Sequence, residues 1–201
     1  MQDLIHRALE ESFNALNALR RDETTLAAVV TAGEVLATSL KAGGRVFSCG
    51  NGGSMCDAMH FAEELSGRYR EDRPALAAQA ISDPGHLSCV ANDYGYERVF
   101  ARYLEAHGRA GDVLVAISTS GSSANVMRAA EEARARGLQV IALTGRPGSP
   151  IGQLAHVDVC TPAGRYADRV QELHIKVIHI LIEIIERRLF AQGDVPNGVI
   201  P

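Results

Sequence analysis

The chain has little excess charge and no long apolar run, and both absences limit what it can do. Its 20 Lys and Arg residues stand against 24 Asp and Glu residues, for a formal net charge of −4. That balance gives no support to binding of nucleic acid or of an anionic membrane. The longest aliphatic candidate for a membrane span, residues 175–185, is interrupted by Lys176, His179 and Glu183. The first residues have no apolar signal core, so we expect a cytoplasmic protein that does not cross a membrane.

Cysteine pairs and nucleotide motifs are also missing. The four cysteines are scattered without a C-x-x-C pair, at Cys49, Cys56, Cys89 and Cys160. This pattern is typical of reduced thiols in the cytosol rather than of a disulfide framework or a thiolate zinc site. No G-x-x-x-x-G-K-[ST] run is present, and no G-x-G-x-x-G run opens a dinucleotide fold. The sequence therefore predicts no P-loop and no Rossmann nucleotide site.

What is present is a regular alternation of strand-like and helix-like segments. Helices are predicted at 3–20, 23–41, 54–67, 86–92, 96–107, 122–136, 149–155 and 167–190. Strands are predicted at 45–49, 77–81, 112–118, 139–144 and 157–161. This order predicts an α/β fold with a doubly wound parallel sheet flanked by helices. The 201 residues fit one domain over 1–201, with N-terminal helices at about 3–41, an α/β core at about 45–190 and a frayed tail at 191–201.

Two turns rich in glycine and hydroxyl groups follow predicted strands. One runs from Cys49 to Ser54 and the other from Ser118 to Ser123, and each leads into a predicted helix. Free N–H groups at a helix N-terminus, together with Ser and Thr hydroxyls, bind anions. Ligands of parallel α/β sheets lie beyond the carboxyl ends of the strands. The two turns therefore predict a sugar-phosphate site, although such turns can also do no more than connect strands to helices.

The last predicted helix is apolar on nearly all sides between Val170 and Leu189. A helix of that composition is buried. In a chain of this length, we expect the burial to come from a second subunit, and therefore a homo-oligomer.

Polar side chains on two helices are candidates for chemistry. His60 and Glu64 lie one turn apart on one helix, while Gln171 and His179 lie two turns apart on the last. The four together can form a metal site or an acid/base set, whereas His60 and Glu64 alone can be a surface pair. His174 competes with His179, because their directions differ by about 140° at helical spacing. Spacing does not choose between them.

Asp93 is a weaker candidate, in a predicted loop at 91–95. Its carboxylate can accept hydrogen bonds from sugar hydroxyls. A role as a helix N-cap or turn residue explains it better.

In combination, these residues resemble the bacterial phosphoheptose isomerases, also called sedoheptulose 7-phosphate isomerases, of the SIS (sugar isomerase) domain fold. The resemblance covers about residues 3–190 and rests on segments 51–54, 57–65, 92–93, 117–121 and 171–179. The Ser/Thr turn marks only the broad SIS fold, whereas its combination with Glu64, Gln171 and His179 is much more specific. The resemblance implies an aldose–ketose isomerase that interconverts sedoheptulose 7-phosphate and D-glycero-D-manno-heptose 7-phosphate for the lipopolysaccharide core.

The resemblance also implies roles for individual residues. Glu64 and His179 are the expected acid/base groups of an enediolate mechanism. In zinc-bound members the metal ligands correspond to His60, Glu64, Gln171 and His179, with one zinc ion per subunit, loosely held because an amide oxygen is a weak ligand. The expected substrate contacts are Asn51, Gly52, Gly53, Ser54, Glu64, Asn92, Asp93, Ser118, Thr119, Ser120, Ser123, Asp168 and Gln171. A homotetramer with active sites shared between subunits is implied as well.

Three alternatives compete with this interpretation. Some SIS relatives are non-catalytic scaffolds that bind the bacterial replication initiator, and they lack the full set of Glu64, Gln171 and His179. SIS transcription sensors usually add a helix-turn-helix domain, for which the N-terminal helices are too short. A third alternative keeps the enzyme and changes the sugar to a hexose or pentose phosphate, because these residues do not encode chain length.

Overall fold

The computed structural model describes residues 1–190, and the predicted tail at 191–201 lies outside the described residues. The α-helices are α1 (Gln2–Leu19), α2 (Glu23–Lys41), α3 (Gly53–Ser66), α4 (Pro84–Tyr94), α5 (Val99–His107), α6 (Ala124–Ala135), α7 (Pro150–Leu154) and α8 (Ala167–Phe190). The strands are β1 (Val46–Cys49), β2 (Ala78–Ala80), β3 (Val113–Ser118), β4 (Gln139–Thr144) and β5 (Val157–Cys160). A 3₁₀ turn at Tyr96–Arg98 precedes α5.

The five strands form a parallel sheet in the order β2-β1-β3-β4-β5. β1 and β3 are neighbours, with Val46 opposite Val113 and Cys49 opposite Ala116. Because parallel strands end at the same edge, the turns that follow β1 and β3 lie side by side. The predicted α/β fold with a doubly wound sheet is confirmed.

Helices cover both faces of the sheet, so the strands are apolar on both sides. Along β3, Val113, Val115 and Ile117 point into one buried cluster, which also contains apolar residues of α2, α3 and α8. The alternate residues Leu114 and Ala116 point into a second cluster, with α5 and α6. This period-two division follows from strand geometry and places α3 and α8 on the same face.

The predicted helix at 86–92 is too short at both ends, and the predicted loop at 91–95 is wrong up to residue 94, because Asn92 and Asp93 lie in the last turn of α4. The helix begins earlier than predicted, because Asp83 caps it by accepting a hydrogen bond from the His86 N–H at 2.7 Å. It ends later, at Gly95, whose φ of 86° cannot continue a helix. Asn and Asp are weak helix formers but do not stop a helix by themselves.

The burial of α8 comes largely from its own chain. Its fully buried residues Val177, Ile178 and Leu181 join the cluster formed with α2, α3 and the sheet. Ile180, on another side, is 37% exposed. Packing within the chain therefore explains the apolar character of α8. The prediction that this burial comes from a second subunit is not needed to explain it. Among the described residues, no helix combines the length and the apolar character needed to cross a bilayer.

Candidate active site

The turn after β1 brings backbone to the N-terminus of α3. Gly52 precedes the helix with φ 55° and ψ −124°, a conformation that favours glycine. A Cβ atom on Gly50 would lie 2.6 Å from the carbonyl oxygen of Ser54, so glycine is required there as well. The result is a compact turn that presents the first N–H groups of α3 at the edge of the sheet.

A reciprocal amide pair joins this turn to the second one. Asn51 Nδ2 donates to Asn125 Oδ1 at 2.8 Å, and Asn125 Nδ2 donates to Asn51 Oδ1 at 2.8 Å. The Tyr96 hydroxyl also donates to Asn51 Oδ1, at 3.2 Å. Asn51 therefore fixes the spacing of the two turns.

The turn after β3 collects hydroxyl groups at the N-terminus of α6. Ser118 Oγ lies 3.0 Å from Ser123 Oγ and 3.4 Å from Ser120 Oγ. Ser123 stands at the N-cap position, yet its side chain makes no capping hydrogen bond to α6. The helix N-terminus and the hydroxyls together can receive an anion.

A cavity of about 420 Å³ adjoins this turn. Thr119 and Ser120 line one side, and the loops that follow β4 and β5 line the other. Those loops contribute Arg146 and Arg165, two positive charges that the sequence pattern did not single out. The cavity therefore presents an electropositive wall beside the predicted phosphate-binding hydroxyls.

Three of the predicted chemical groups converge between α3 and α8. His60 Nε2 lies 2.9 Å from His179 Nε2 and 3.6 Å from Glu64 Oε1. The two imidazole rings meet edge to face, with centroids 5.1 Å apart. On its other side, His60 Nδ1 lies 3.1 Å from Glu63 Oε1. The structure thus brings together His60, Glu64 and His179.

His174, the competing histidine, belongs to the core. Its side chain is fully buried, and its Nε2 lies 3.1 Å from the backbone carbonyl oxygen of Thr144. Burial lowers the pKa of His174 to about 4. The ring is therefore a neutral packing group, turned away from His60.

Gln171 lies at the other end of α3. A Cβ atom on Gly53 would lie 2.5 Å from Gln171 Nε2, so the amide packs directly on the first residue of the helix. Gln171 is two turns before His179 on α8, as Gly53 is two turns before His60 on α3. The amide is placed near the N-terminal N–H groups of α3.

Burial tunes the two expected acid/base groups in useful directions. Burial raises the pKa of Glu64, and the neighbouring Glu63 and Glu186 add to the rise. Burial also lowers the pKa of His179, with the positive charges of His60, Lys176 and Arg70 contributing. Glu64 is thereby a stronger base than a free carboxylate, and His179 favours its neutral form.

The donor set fits a zinc ion. Two imidazole nitrogens and one carboxylate oxygen are common zinc ligands, and donors at about 2.0–2.1 Å from zinc lie a little over 3 Å from one another. The separations of 2.9 and 3.6 Å fall around that value. Within residues 1–190, His60, Glu63 and Glu64 form a potential metal-binding group, with one donor atom from each lying within 4.8 Å of the others. Glu63 was not predicted.

Asn92, Asp93 and Asp168 are not among the groups that converge. Asn92 Nδ2 donates to Asp93 Oδ1 at 2.7 Å on the exposed end of α4. Asp93 lines a separate groove of about 610 Å³ together with residues of α5. Asp168 is 58% exposed in the first turn of α8, where its carboxylate lies 3.6 Å from Arg169.

Several residues at the site carried no sequence signal. Asn125 sits in the first turn of α6 and has no distinguishing periodicity. Tyr69 stacks on His179 from an irregular segment, with ring centroids 5.7 Å apart. Arg73, in the same segment, donates to the carbonyl oxygen of Glu64 at 2.6 Å. An irregular segment has no repeat that assigns its side chains to a face, so sequence reasoning could not place them.

Comparison with known proteins gives one consistent result. The SIS domain family model matches residues 11–145. The phosphoheptose isomerase of Sodalis glossinidius is 57% identical over 192 residues, covering 96% of this chain and 99% of that protein. The solved phosphoheptose isomerase of Neisseria gonorrhoeae is 40% identical with a TM-score of 0.85, covering 92% of this chain and 98% of that one. The solved enzyme of Francisella tularensis is 33% identical with a TM-score of 0.87 over the same shares.

Proposed function

The chain belongs to the SIS domain family and, within it, to the phosphoheptose isomerases, and from this premise we propose that it interconverts sedoheptulose 7-phosphate and D-glycero-D-manno-heptose 7-phosphate. It is an aldose–ketose isomerase, and the reaction supplies heptose for the lipopolysaccharide core. The observation that carries the proposal is the convergence of His60, Glu64 and His179 between α3 and α8. His60 and Glu64 lie on α3, the helix that begins at the predicted anion-binding turn after β1.

The chemistry is a proton transfer between adjacent carbons through an enediolate. Glu64 takes the carbon-bound proton and returns it to the neighbouring carbon. His179 transfers a proton to and from the substrate oxygen. Positioned groups of this kind each contribute about 10²–10⁴-fold to the rate. The raised pKa of Glu64 supports the role of base, and the lowered pKa of His179 keeps a nitrogen free to accept a proton.

The phosphate end of the substrate is assigned to the turn after β3. Ser118, Thr119, Ser120 and Ser123 supply hydroxyls, and α6 supplies its N-terminal N–H groups. The sugar chain is assigned to the turn after β1, with contacts from Asn51, Gly52, Gly53, Ser54 and Gln171. We also propose Asn92, Asp93 and Asp168 as substrate contacts. Within the chain they lie apart from His60, Glu64 and His179, so this assignment rests on the resemblance to the family alone.

His60, Glu64 and His179, which converge, would hold one zinc ion per subunit. Gln171 is kept as a fourth ligand only as part of this proposal, because within the chain its amide packs two turns away, on Gly53. When bound, the ion would polarise the substrate carbonyl and neutralise the enediolate. Gln171 brings an amide, a weak ligand, so we expect loose binding. Since Glu64 and His179 serve both as ligands and as proton carriers, their two roles have to alternate during turnover.

We further propose a single SIS domain over 1–201 that assembles as a cytoplasmic homotetramer with shared active sites. An exposed apolar stripe on α1 supports assembly, because Ile5, Leu9 and Phe13 are 57%, 64% and 65% exposed. The four cysteines are free thiols, in agreement with a reducing compartment.

The proposal is tested by proton NMR of the purified protein with sedoheptulose 7-phosphate in D₂O. The signal of the aldose heptose phosphate should appear with the wild type. With Glu64→Gln, the rate at which this signal grows should be lower by at least about 10²-fold. Glu131→Gln, an exposed carboxylate of α6 paired with Arg128, is the matched control and should retain the wild-type rate. Parallel samples with a chelator and with added zinc decide the metal requirement.

Absence of turnover in every sample, from a folded oligomer, would overturn the proposal. The scaffold alternative would then be tested with the bacterial replication initiator. The relatives described above are isomerases, which gives that alternative no support.

A further inference from the structure

The connection between α3 and β2 contains a buried arginine that holds the end of α3. The side chain of Arg73 is only 6% exposed. It donates to the backbone carbonyl oxygens of Glu64 at 2.6 Å, Leu65 at 2.7 Å and Gly67 at 3.0 Å. The last carbonyls of a helix have no partner within the helix, and their negative dipole end favours a cation. Arg73 supplies both the donors and the charge.

The same guanidinium reaches the facing helix. Arg73 Nε donates to Glu186 Oε1 at 2.9 Å, and Glu186 lies on α8 two turns after His179. One side chain therefore binds the backbone of the residue that carries the expected base and also the helix that carries its histidine partner. The relative position of α3 and α8 at the active site depends on this bridge.

A second contact from the same segment reaches the site directly. We call residues 67–74 the strap. Tyr69, in the strap, stacks on the imidazole of His179 at 5.7 Å between centroids and 29° between planes. Arg70 lies over the Tyr69 ring at 5.1 Å and pairs with Glu183 of α8 at 3.4 Å. The strap thus lies against α8, and Tyr69 covers one face of His179.

We propose that Arg73 is a positioning residue for the isomerisation, which holds Glu64 and the Tyr69-covered His179 in register by bridging the end of α3 to Glu186. The inference rests on the proposed function. Proton transfer requires the reacting groups to be placed closely, and a displacement of about 1 Å can cost about 10²-fold in rate. The phosphate is assigned to the turn after β3 and the N-terminus of α6, which Arg73 does not contact, so we expect KM to depend little on Arg73.

The test compares Arg73→Gln and Arg73→Lys with the wild type by steady-state kinetics. Arg73→Gln should lower kcat roughly ten- to hundredfold with KM changed by less than about twofold. Arg73→Lys keeps the charge and should recover part of kcat. The matched control is Arg188→Gln, which breaks the Arg188–Glu34 pair between α8 and α2 and should leave kcat unchanged.

A second readout needs no substrate. In protein with isotope-labelled histidine, the ring signals of His179 should shift in Arg73→Gln and in Tyr69→Leu, while those of the core residue His174 should not. A purely structural cap would lower stability and leave the His179 signals and kcat in place. If the wild type shows no turnover, the proposed function fails, and the His179 signals alone decide the role of Arg73.

Some variants could lose the fold. In that case Glu186→Ala cuts the link to α8 and leaves the carbonyl caps of α3 intact. Because Glu186 also contributes to the raised pKa of Glu64, a fall in kcat alone does not support the inference, and a shift of the His179 signals is required as well. A folded Arg73→Gln or Glu186→Ala with wild-type kcat, or with unchanged His179 signals, would overturn the inference.

Discussion

At the scale of single residues, two side chains of the same type have different roles because their surroundings differ. His174 and His179 lie five positions apart on one helix. His174 faces the sheet and bonds the Thr144 carbonyl, whereas His179 faces His60. The same ring is therefore a neutral core group at one position and a candidate catalyst at the other.

His174 should make folding stability depend on pH. Its folded pKa of about 4 lies below the 6.5 of an exposed imidazole, so the unfolded chain takes up the proton first as pH falls. The stability associated with the neutral ring is complete above pH 6.5 and is lost between pH 6.5 and 4, by about 3 kcal/mol in total. Urea unfolding of the wild type and His174→Gln at several pH values measures this loss. An equally steep dependence in the variant would contradict the assignment.

Ser120 should contribute to phosphate binding. Its hydroxyl lies in the cluster with Ser118 and lines the cavity that Arg146 also lines. Loss of a hydrogen bond to a charged group costs about 1.5–3 kcal/mol, so Ser120→Ala should raise KM roughly ten- to hundredfold. Initial-rate kinetics provide the measurement, with Thr31→Ala as control, since that exposed hydroxyl donates to the Ala27 carbonyl oxygen within α2. An unchanged KM would argue that the turn after β3 does not bind phosphate.

At the scale of elements, the hydrophobic periodicity of the sequence predicted the helices and strands. It gave no prediction for irregular segments, which have no repeat. The five strands are apolar or alternating runs, and each was predicted within two residues of its observed ends. Asp93 was placed in a loop rather than in α4, although Gly95 is the residue that ends this helix. The strap could not be predicted, since the roles of Tyr69 and Arg73 arise from contacts with residues more than a hundred positions away.

Gly33 shows a packing requirement between two helices. It is buried on α2, where a Cβ atom would lie 2.5 Å from Ile184 Cγ2 of α8. Ala favours a helix over Gly by about 1 kcal/mol, but overpacking costs about 1–3 kcal/mol, so Gly33→Ala should be neutral to destabilising by about 2 kcal/mol. Thermal or urea unfolding measures it.

The double variant Gly33→Ala/Ile184→Ala identifies the cause. Removing the Ile184 side chain relieves the overlap, so the two substitutions together should cost less than the sum of the single changes. Additive costs would show that Gly33 is not required by this contact.

At the scale of the whole molecule, the surface of α1 is the feature that one chain leaves unexplained. Ile5, Leu9 and Phe13 recur every four residues and form one exposed apolar stripe. α8 already finds its partners within the chain, so the argument for assembly moves from the last helix to the first. A stripe of this kind is typical of a surface that another copy covers.

Leu9→Asp should therefore weaken the proposed tetramer. A carboxylate at the centre of the stripe would be buried without a partner on assembly, at a cost of several kcal/mol at each copy of the contact. Sedimentation velocity should show species smaller than the wild type. The value of kcat should fall in parallel, because the proposed shared active sites would be incomplete in the separated subunits. Glu10→Gln, a neighbouring exposed position on the same helix, should change neither quantity. A Leu9→Asp protein with wild-type sedimentation and wild-type kcat would show that α1 is not the contact that assembles the enzyme.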